Sequence, residues 1–264
     1  MKNVKVLVLR AAGINCDRET AYAFELAGAE ADFVHINKLI DNTDMLENYQ
    51  ILVFPGGFSY GDDIAAGRIL SNQIRHHLYS EIQKFIASGK LILGICNGFQ
   101  ILAKSGILPG LGNADGLVSL GQDVTITYND SGKFDDRWVY LKPGSDKCVF
   151  IEKDQIIYLP IAHGEGKVIA KDAATLDKIR KGHVAFRYVD EHGNKGKFPV
   201  NPNGSTDDIA GLTDSTGRVL GLMPHPERFV KYTQHPRWTR LKDKNRCDGM
   251  TIFNNAVKYV KENL

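Results

Sequence analysis

The chain has 264 residues, of which 43% are hydrophobic and 24% charged, with a net charge of +2. That length is one large domain, or one domain with an insertion, and the composition suits a soluble globular protein with a sizeable core. The near-neutral balance gives no electrostatic case for nucleic acid or an anionic membrane, and no apolar run reaches the length of a membrane span.

Met1-Lys2-Asn3-Val4-Lys5 leads straight into a strand and has no signal-peptide region, so a cytoplasmic location is expected. Cys16, Cys96, Cys148 and Cys247 lie far apart with no C-x-x-C pair. They suggest neither a zinc site nor a disulfide framework, and no metal ligands are assigned.

Lys5 to Leu9 reads as a first buried strand. Asn15 or Asp17 can cap the helix after it, whose inward stripe is Thr20, Ala23, Phe24 and Ala27 and which ends at Gly28. Ala31 to His35 is a second strand, a short helix follows Asn37, and Ile51 to Phe54 is a third strand. Strands and helices alternating at this spacing make βαβ units and a parallel sheet. The loop Pro55-Gly56-Gly57-Phe58-Ser59-Tyr60-Gly61-Asp62-Asp63 lies beyond a strand's carboxyl end, where such sheets bind ligands. Its glycines let backbone N–H groups approach a bound oxygen; an ordinary glycine-rich turn reads the same way, and Asp62 and Asp63 can simply cap the next helix, roughly Ile69 to Ala87.

Leu91 to Ile95 is a strand buried on both faces, and Phe99, Leu102 and Ala103 have helical spacing. Between them stands Gly94-Ile95-Cys96-Asn97-Gly98, the nucleophile-elbow pattern with cysteine in place of serine. The elbow leaves the sulfur at a helix N-terminus, where unpaired N–H groups and the helix dipole favour a thiolate. Taken alone, Cys96 also fits a buried core cysteine.

From about Gly116 the rhythm changes. Val118 to Leu120, Val124 to Tyr128, Trp138 to Leu141 and Cys148 to Ile151 read as short antiparallel strands. Ile156 to Ile161 is another strand, running into Ala162-His163-Gly164-Glu165-Gly166, which is either part of a polar site or a turn with a solvated histidine. Gly182 to Tyr188 is a strand, and Asp190 to Ser205 a long polar surface loop. Ile209 to Thr213 and Val219 to Met223 are strands, and Thr251 to Asn263 is a helix with Ile252, Phe253, Ala256, Val257 and Val260 on one side.

The last of those strands runs into Pro224-His225-Pro226-Glu227. In extended backbone, residues two apart project to one side, and the prolines restrict the chain around His225. A carboxylate there can fix an imidazole's tautomer and stabilise its cation. Together the stretches supply a nucleophile (Cys96), a general acid and base (His225), its orienter (Glu227), and an oxyanion hole from the N–H groups of Gly57 and Asn97.

Pro55-Gly56-Gly57, Gly94 to Gln100 and Pro224 to Glu227 resemble the class I, triad-type glutamine amidotransferases. Gly13-Ile14-Asn15-Cys16-Asp17, Phe54 to Asp62, Pro160 to Gly166 and Asn201-Pro202-Asn203-Gly204-Ser205 narrow the resemblance to the glutaminase subunits of phosphoribosylformylglycinamidine synthases. Ala11-Ala12 departs from the Pro or Gly common there. The resemblance implies an α/β fold: a mostly parallel central sheet flanked by helices, flavodoxin-like, with an added antiparallel portion. It implies one domain over residues 1–264, less typical from about 230, where Gln234 to Gly249 looks like an added loop.

For function it implies hydrolysis of glutamine to glutamate and ammonia through a Cys96 thioester, with the ammonia passed to a synthetase in purine biosynthesis. Gly56, Gln100, His163, Gly164 and Glu165 are then candidates for holding glutamine. The expected partners are a large synthetase subunit and a small accessory subunit. ATP and magnesium are expected on the synthetase and no cofactor in this chain, which has no G-x-x-x-x-G-K loop. The alternatives are an amidotransferase serving another synthetase, a stand-alone elbow-type cysteine hydrolase, or a non-enzymatic module on the same fold.

Overall fold

Apolar runs that read as strands become the middle of a nine-stranded sheet. The computed structural model describes residues 3–111, 121–241 and 243–264. Five strands run parallel: β1 (Lys5–Arg10), β2 (Glu30–His35), β3 (Ile51–Phe54), β4 (Leu91–Ile95) and β11 (Val219–Leu222), in the order β2-β1-β3-β4-β11. The sheet continues antiparallel through β10 (Ile209–Thr213), β9 (Val184–Val189), β6 (Asp135–Pro143) and β7 (Ile157–His163). Two further strands, β5 (Val124–Tyr128) and β8 (Glu165–Ala170), pair apart from it.

Helices cover the parallel part. They are α1 (Asp17–Leu26), α2 (Ile36–Asp41), α3 (Arg68–Gln73), α4 (Tyr79–Ala87), α5 (Asn97–Lys104) and α7 (Met250–Asn263), with α6 (Ala173–Arg180) beside β8. Residues of β3 and β4 are buried throughout, which is why their runs carry no polar alternation. Each such Leu, Ile or Val contributes about 1.5–3 kcal/mol by leaving water. Phe24 of α1 meets Phe253 of α7 edge to face at 4.9 Å, fastening the C-terminal helix to the first.

Several expectations change. The expected helix over 69–87 is interrupted by a π-helical stretch, Ile74–Leu78. Its N-cap is Gly67, so Asp62 and Asp63 do not cap it. The first helix is capped by Cys16 without a side-chain bond; Asp17 begins the helix and instead pairs with Arg10 at 2.7 Å. Cys148 to Ile151 is a turn, not a strand: Phe150 is fully buried, but Val149 N–H bonds to Gly217 O rather than to a ladder. The expected strand at Val118 to Leu120 lies outside the described residues.

Most described residues from 231 to 246 are exposed, and the segment is anchored at a few points. His235 stacks among Trp138, Tyr158 and Phe229, and Asp248 accepts the Tyr158 N–H at 2.8 Å. It makes two short 3-10 turns, Tyr232–Gln234 and Trp238–Arg240. Among the described residues, no helix is long and apolar enough to cross a membrane.

Candidate active site

Strand order assembles this site. Strands β1, β3, β4 and β11 are neighbours and parallel, so the loops leaving their carboxyl ends lie side by side. Those loops carry Cys16, Gly56–Gly57, Cys96 and His225. The junction of β4 with β11 is tied at its end by Cys96 N–H to Leu222 O, 2.8 Å. The antiparallel end of the sheet comes back over them: Pro160 O of β7 accepts the His225 N–H at 2.8 Å, and Ala162 O lies 3.8 Å from Cys96 Sγ.

Cys96 has φ 50° and ψ −104°, a conformation that L residues rarely adopt. Holding it costs on the order of 1–3 kcal/mol, which the buried strand and helix on either side impose. The sulfur thereby stands at the start of α5, and the Asn97 N–H is the first in that helix, with no carbonyl a turn earlier to accept it. Gly98 lets α5 rest on β3: a Cβ there would overlap Phe54 O.

His225 and Glu227 are both buried, and Nδ1 of the ring lies 2.6 Å from Glu227 Oε1. The geometry differs from a plain extended pair. His225 is extended, but Pro226–Arg228 forms a 3-10 turn that swings the carboxylate back to the ring. Among the described residues, His225 Nε2 and Glu227 Oε2 have no hydrogen-bond partner. Burial favours the neutral ring, but the Glu227 carboxylate and the Cys96 sulfur outweigh it and raise its pKa well above the ordinary value. A protonated ring beside a sulfur is the arrangement of an activated nucleophile.

Gly57 sits at φ +140°, bridged antiparallel to Ile14. The loop after β1 supports it on both sides: Phe58 N–H bonds to Gly13 O at 2.9 Å and Cys16 N–H to Gly56 O at 3.2 Å. A side chain at 57 would strike the backbone of residues 13–15. Gly56 is not a wall of the cavity; it packs against the His225 ring and Cys16.

A cavity of about 170 Å³ opens on Cys96, lined also by Gly57, Gln100, His163, Gly164 and Glu165. That is well below the ~300–1,000 Å³ of drug-sized sites and suits a small metabolite. Gln100 Nε2 donates to Glu165 O at 2.6 Å, and Asn97 Nδ2 donates to Asp62 Oδ1 and Gln100 Oε1. Lys104 is buried, pairs with Glu165 at 3.7 Å and donates to Ala66 O, joining α5, the loop after β3 and the turn after β7. Burial lowers its pKa and raises that of Asp62.

His163 is held differently from the solvated alternative. It is buried, its Nδ1 meets Asn129 Oδ1 at 3.0 Å, and burial, helped by the charge on His225, lowers its pKa to about 4. It is therefore a neutral ring at physiological pH.

Sequence reasoning passes over the residues that hold this turn. Asn129 Nδ2 donates to His163 O, and its Oδ1 accepts the Gly166 N–H. Asn203 Nδ2 donates to Gly166 O at 2.9 Å, and Asn203 is fully buried, so the end of the expected surface loop is interior. The available signal is the Asn201 to Ser205 motif itself. Replacing Asn203 by Ala strips partners from Gly166 O and the Ser205 N–H. The expected cost is about 1–3 kcal/mol, read as a fall of several degrees in thermal midpoint.

Cys16 likewise stands in a sequence motif that by itself assigns it no role. Its sulfur and donor atoms of His225 and Glu227 lie within 4.8 Å of one another, a spacing that could hold a metal ion. The Arg228 guanidinium, however, already donates to Cys16 Sγ at 3.2 Å, so the sulfur faces one cation and a second would be repelled.

The CobB/CobQ-like glutamine amidotransferase domain family matches residues 3–260. A Dehalococcoides mccartyi protein named phosphoribosylformylglycinamidine synthase subunit PurQ is 48% identical over 264 residues, covering 99% of this chain and 100% of that one. One from Archaeoglobus fulgidus with the same name is 41% identical over 274 residues, covering 99% and 98%. Among solved structures, that of PurLQS from Thermotoga maritima is similar at TM-score 0.72 and 32% identity, covering 98% of this chain and 100% of that one. A glutamine amidotransferase from Thermotoga maritima, at TM-score 0.52, 17% identity and coverage of 99% and 98%, shares the fold.

Proposed function

The chain belongs to the CobB/CobQ-like glutamine amidotransferase family, and from that premise we propose that it is the glutaminase subunit of a phosphoribosylformylglycinamidine synthase. Similarity to PurQ proteins along nearly the whole chain supports this over a component of another synthetase or a hydrolase acting alone. The single observation that carries the chemistry is the buried His225–Glu227 pair, with its free Nε2, beside the Cys96 elbow.

The Cys96 sulfur attacks the side-chain amide carbon of glutamine. The resulting oxyanion takes the N–H groups of Gly57 and Asn97. His225 gives its proton to the departing ammonia, leaving a γ-glutamyl thioester on Cys96. It then takes a proton from water, the hydroxide attacks the thioester, and the proton returns as glutamate leaves the regenerated sulfur. Glu227 holds the ring's tautomer throughout. Gln100, His163, Gly164 and Glu165 border the space for the amino-acid end, whereas Gly56 acts from behind His225.

The ammonia goes to a large synthetase subunit, assembled with a small third subunit, as similarity to PurLQS suggests. ATP and magnesium serve that synthetase. The chain works in the cytoplasm as one domain and needs no cofactor of its own. A glutamine-like electrophile tests the reading: it should label Cys96 alone, one adduct per chain by peptide mapping, and excess glutamine should protect. Labelling elsewhere, or none, rejects the assignment.

A further inference from the structure

Two thiols, not one, stand beside the imidazole of His225. Cys96 is the one that opens on the cavity; Cys16, 1% exposed, is walled in. Its S–H donates to Asn15 Oδ1 at 3.3 Å and its sulfur accepts from Arg228 Nη2 at 3.2 Å. Arg228 is itself anchored by Glu19 at 3.1 Å. A Cβ placed on Gly56 would lie 2.9 Å from His225 Cε1 and 3.1 Å from Cys16 Sγ, so the ring's Cε1 edge and this sulfur border the same small gap over the glycine.

We propose that Cys16 is a positioning residue of the reaction: its uncharged sulfhydryl, held by Arg228, walls the His225 ring against the Gly56 backbone and supports the ring's protonated form. The inference rests on the triad reading above. A polarizable sulfur suits this place, because the edge it borders is the most positive C–H of an imidazolium. A thiolate there would instead compete with Cys96 for the ring. Burial keeps Cys16 protonated by raising its pKa against the opposing pull of His225 and Arg228. The charged and titratable groups around His225 are Glu227 and Arg228 from its own turn, Cys16 from the loop before α1, Cys96 from the elbow, and His163 from β7.

The test is the pH profile of Cys96 alkylation by iodoacetamide in the full-length chain, read on the Cys96 peptide by mass spectrometry. Without Cys16 the protonated ring is less favoured, and so is the thiolate paired with it. In Cys16→Ala the midpoint should therefore move up by about half a unit or more. In the complex with its synthetase, the same variant should lose about tenfold in kcat for glutamine with KM nearly unchanged, as expected for a misplaced general base. Cys16→Ser, which keeps a polar hydrogen-bonding atom, should recover most of both. If Cys16→Ala does not fold, Cys16→Val keeps the volume and should show the same midpoint shift. An unmoved midpoint in whichever of the two folds overturns the proposal. A wild-type chain whose Cys96 is not alkylated ahead of the other cysteines overturns the triad reading itself.

Discussion

Cys96→Ala should abolish glutamine-dependent synthesis in the reconstituted complex, by at least about 10⁴-fold, while ammonia-dependent synthesis stays nearly intact. Among the described residues lining the cavity, Cys96 carries the one sulfur, so it is the thiol placed to meet a bound amide. Cys16 is enclosed behind His225, bonded to Asn15 and Arg228, and cannot take over. The elbow itself should survive, since alanine meets the same backbone demand as cysteine at φ 50° and the strand and helix on either side remain. Activity with added ammonia is the informative arm. If both activities vanish, Cys96 is structural or the partner is misassigned; if neither falls, it is not the nucleophile.

Gly98→Ala should be the most damaging single methyl group near the site. The new Cβ would overlap Phe54 O and stand 2.9 Å from Phe54 Cβ, and Phe54 ends β3, a strand buried along its whole length. A backbone oxygen in a central strand cannot swing aside as a side chain can, so α5 must lift. Overpacking of this kind costs about 1–3 kcal/mol, occasionally more. The loss of function should exceed the loss of stability, because α5 carries the Asn97 N–H and begins at Cys96. A displacement near 1 Å in a reacting group can cost about 10²-fold. Thermal melting and the rate of Cys96 alkylation measure the two effects. A variant that melts like the parent and alkylates at the parent rate would show that the close approach of α5 to β3 is not needed.

The parallel half of the fold is legible in the sequence because its strands are unbroken apolar runs and its connections carry helix punctuation. Leu91 to Ile95 and Val219 to Leu222 can hardly be anything but interior strands, and their adjacency brings Cys96 to His225. The antiparallel half is less legible. Cys148 to Ile151 has strand composition, yet it plugs the core as a turn, because burial of Phe150 and not ladder pairing decides its place. Helix α6 escapes a sequence reading: in Ala173–Arg180 only Thr175 and Ile179 are buried, too few to make a stripe. Strand β8 follows directly on His163-Gly164 and opens with Glu165-Gly166, a run that locally reads as a turn.

At the site, the pairing of His225 with Glu227 is readable from their closeness in sequence, but the 3-10 turn that makes it is not. Asn129 and Asn203 are not, because asparagine in a glycine-rich loop normally marks a solvated turn. Their burial depends on β7 and β8, which lie far away in sequence. Lys104 is hidden for a similar reason: a lysine at a helix end ordinarily points to water, and its partners come from residues 66 and 165.

The position of β11 bears on how the chain is made. Among the described residues it is the last strand to leave the ribosome, yet it pairs on one side with β4, synthesised over a hundred residues earlier. Until it arrives, the nascent chain carries an apolar strand with one bare edge, the kind of surface that recruits other unfinished chains. A stalled or truncated product ending before Val219 should therefore be a prime client for chaperones.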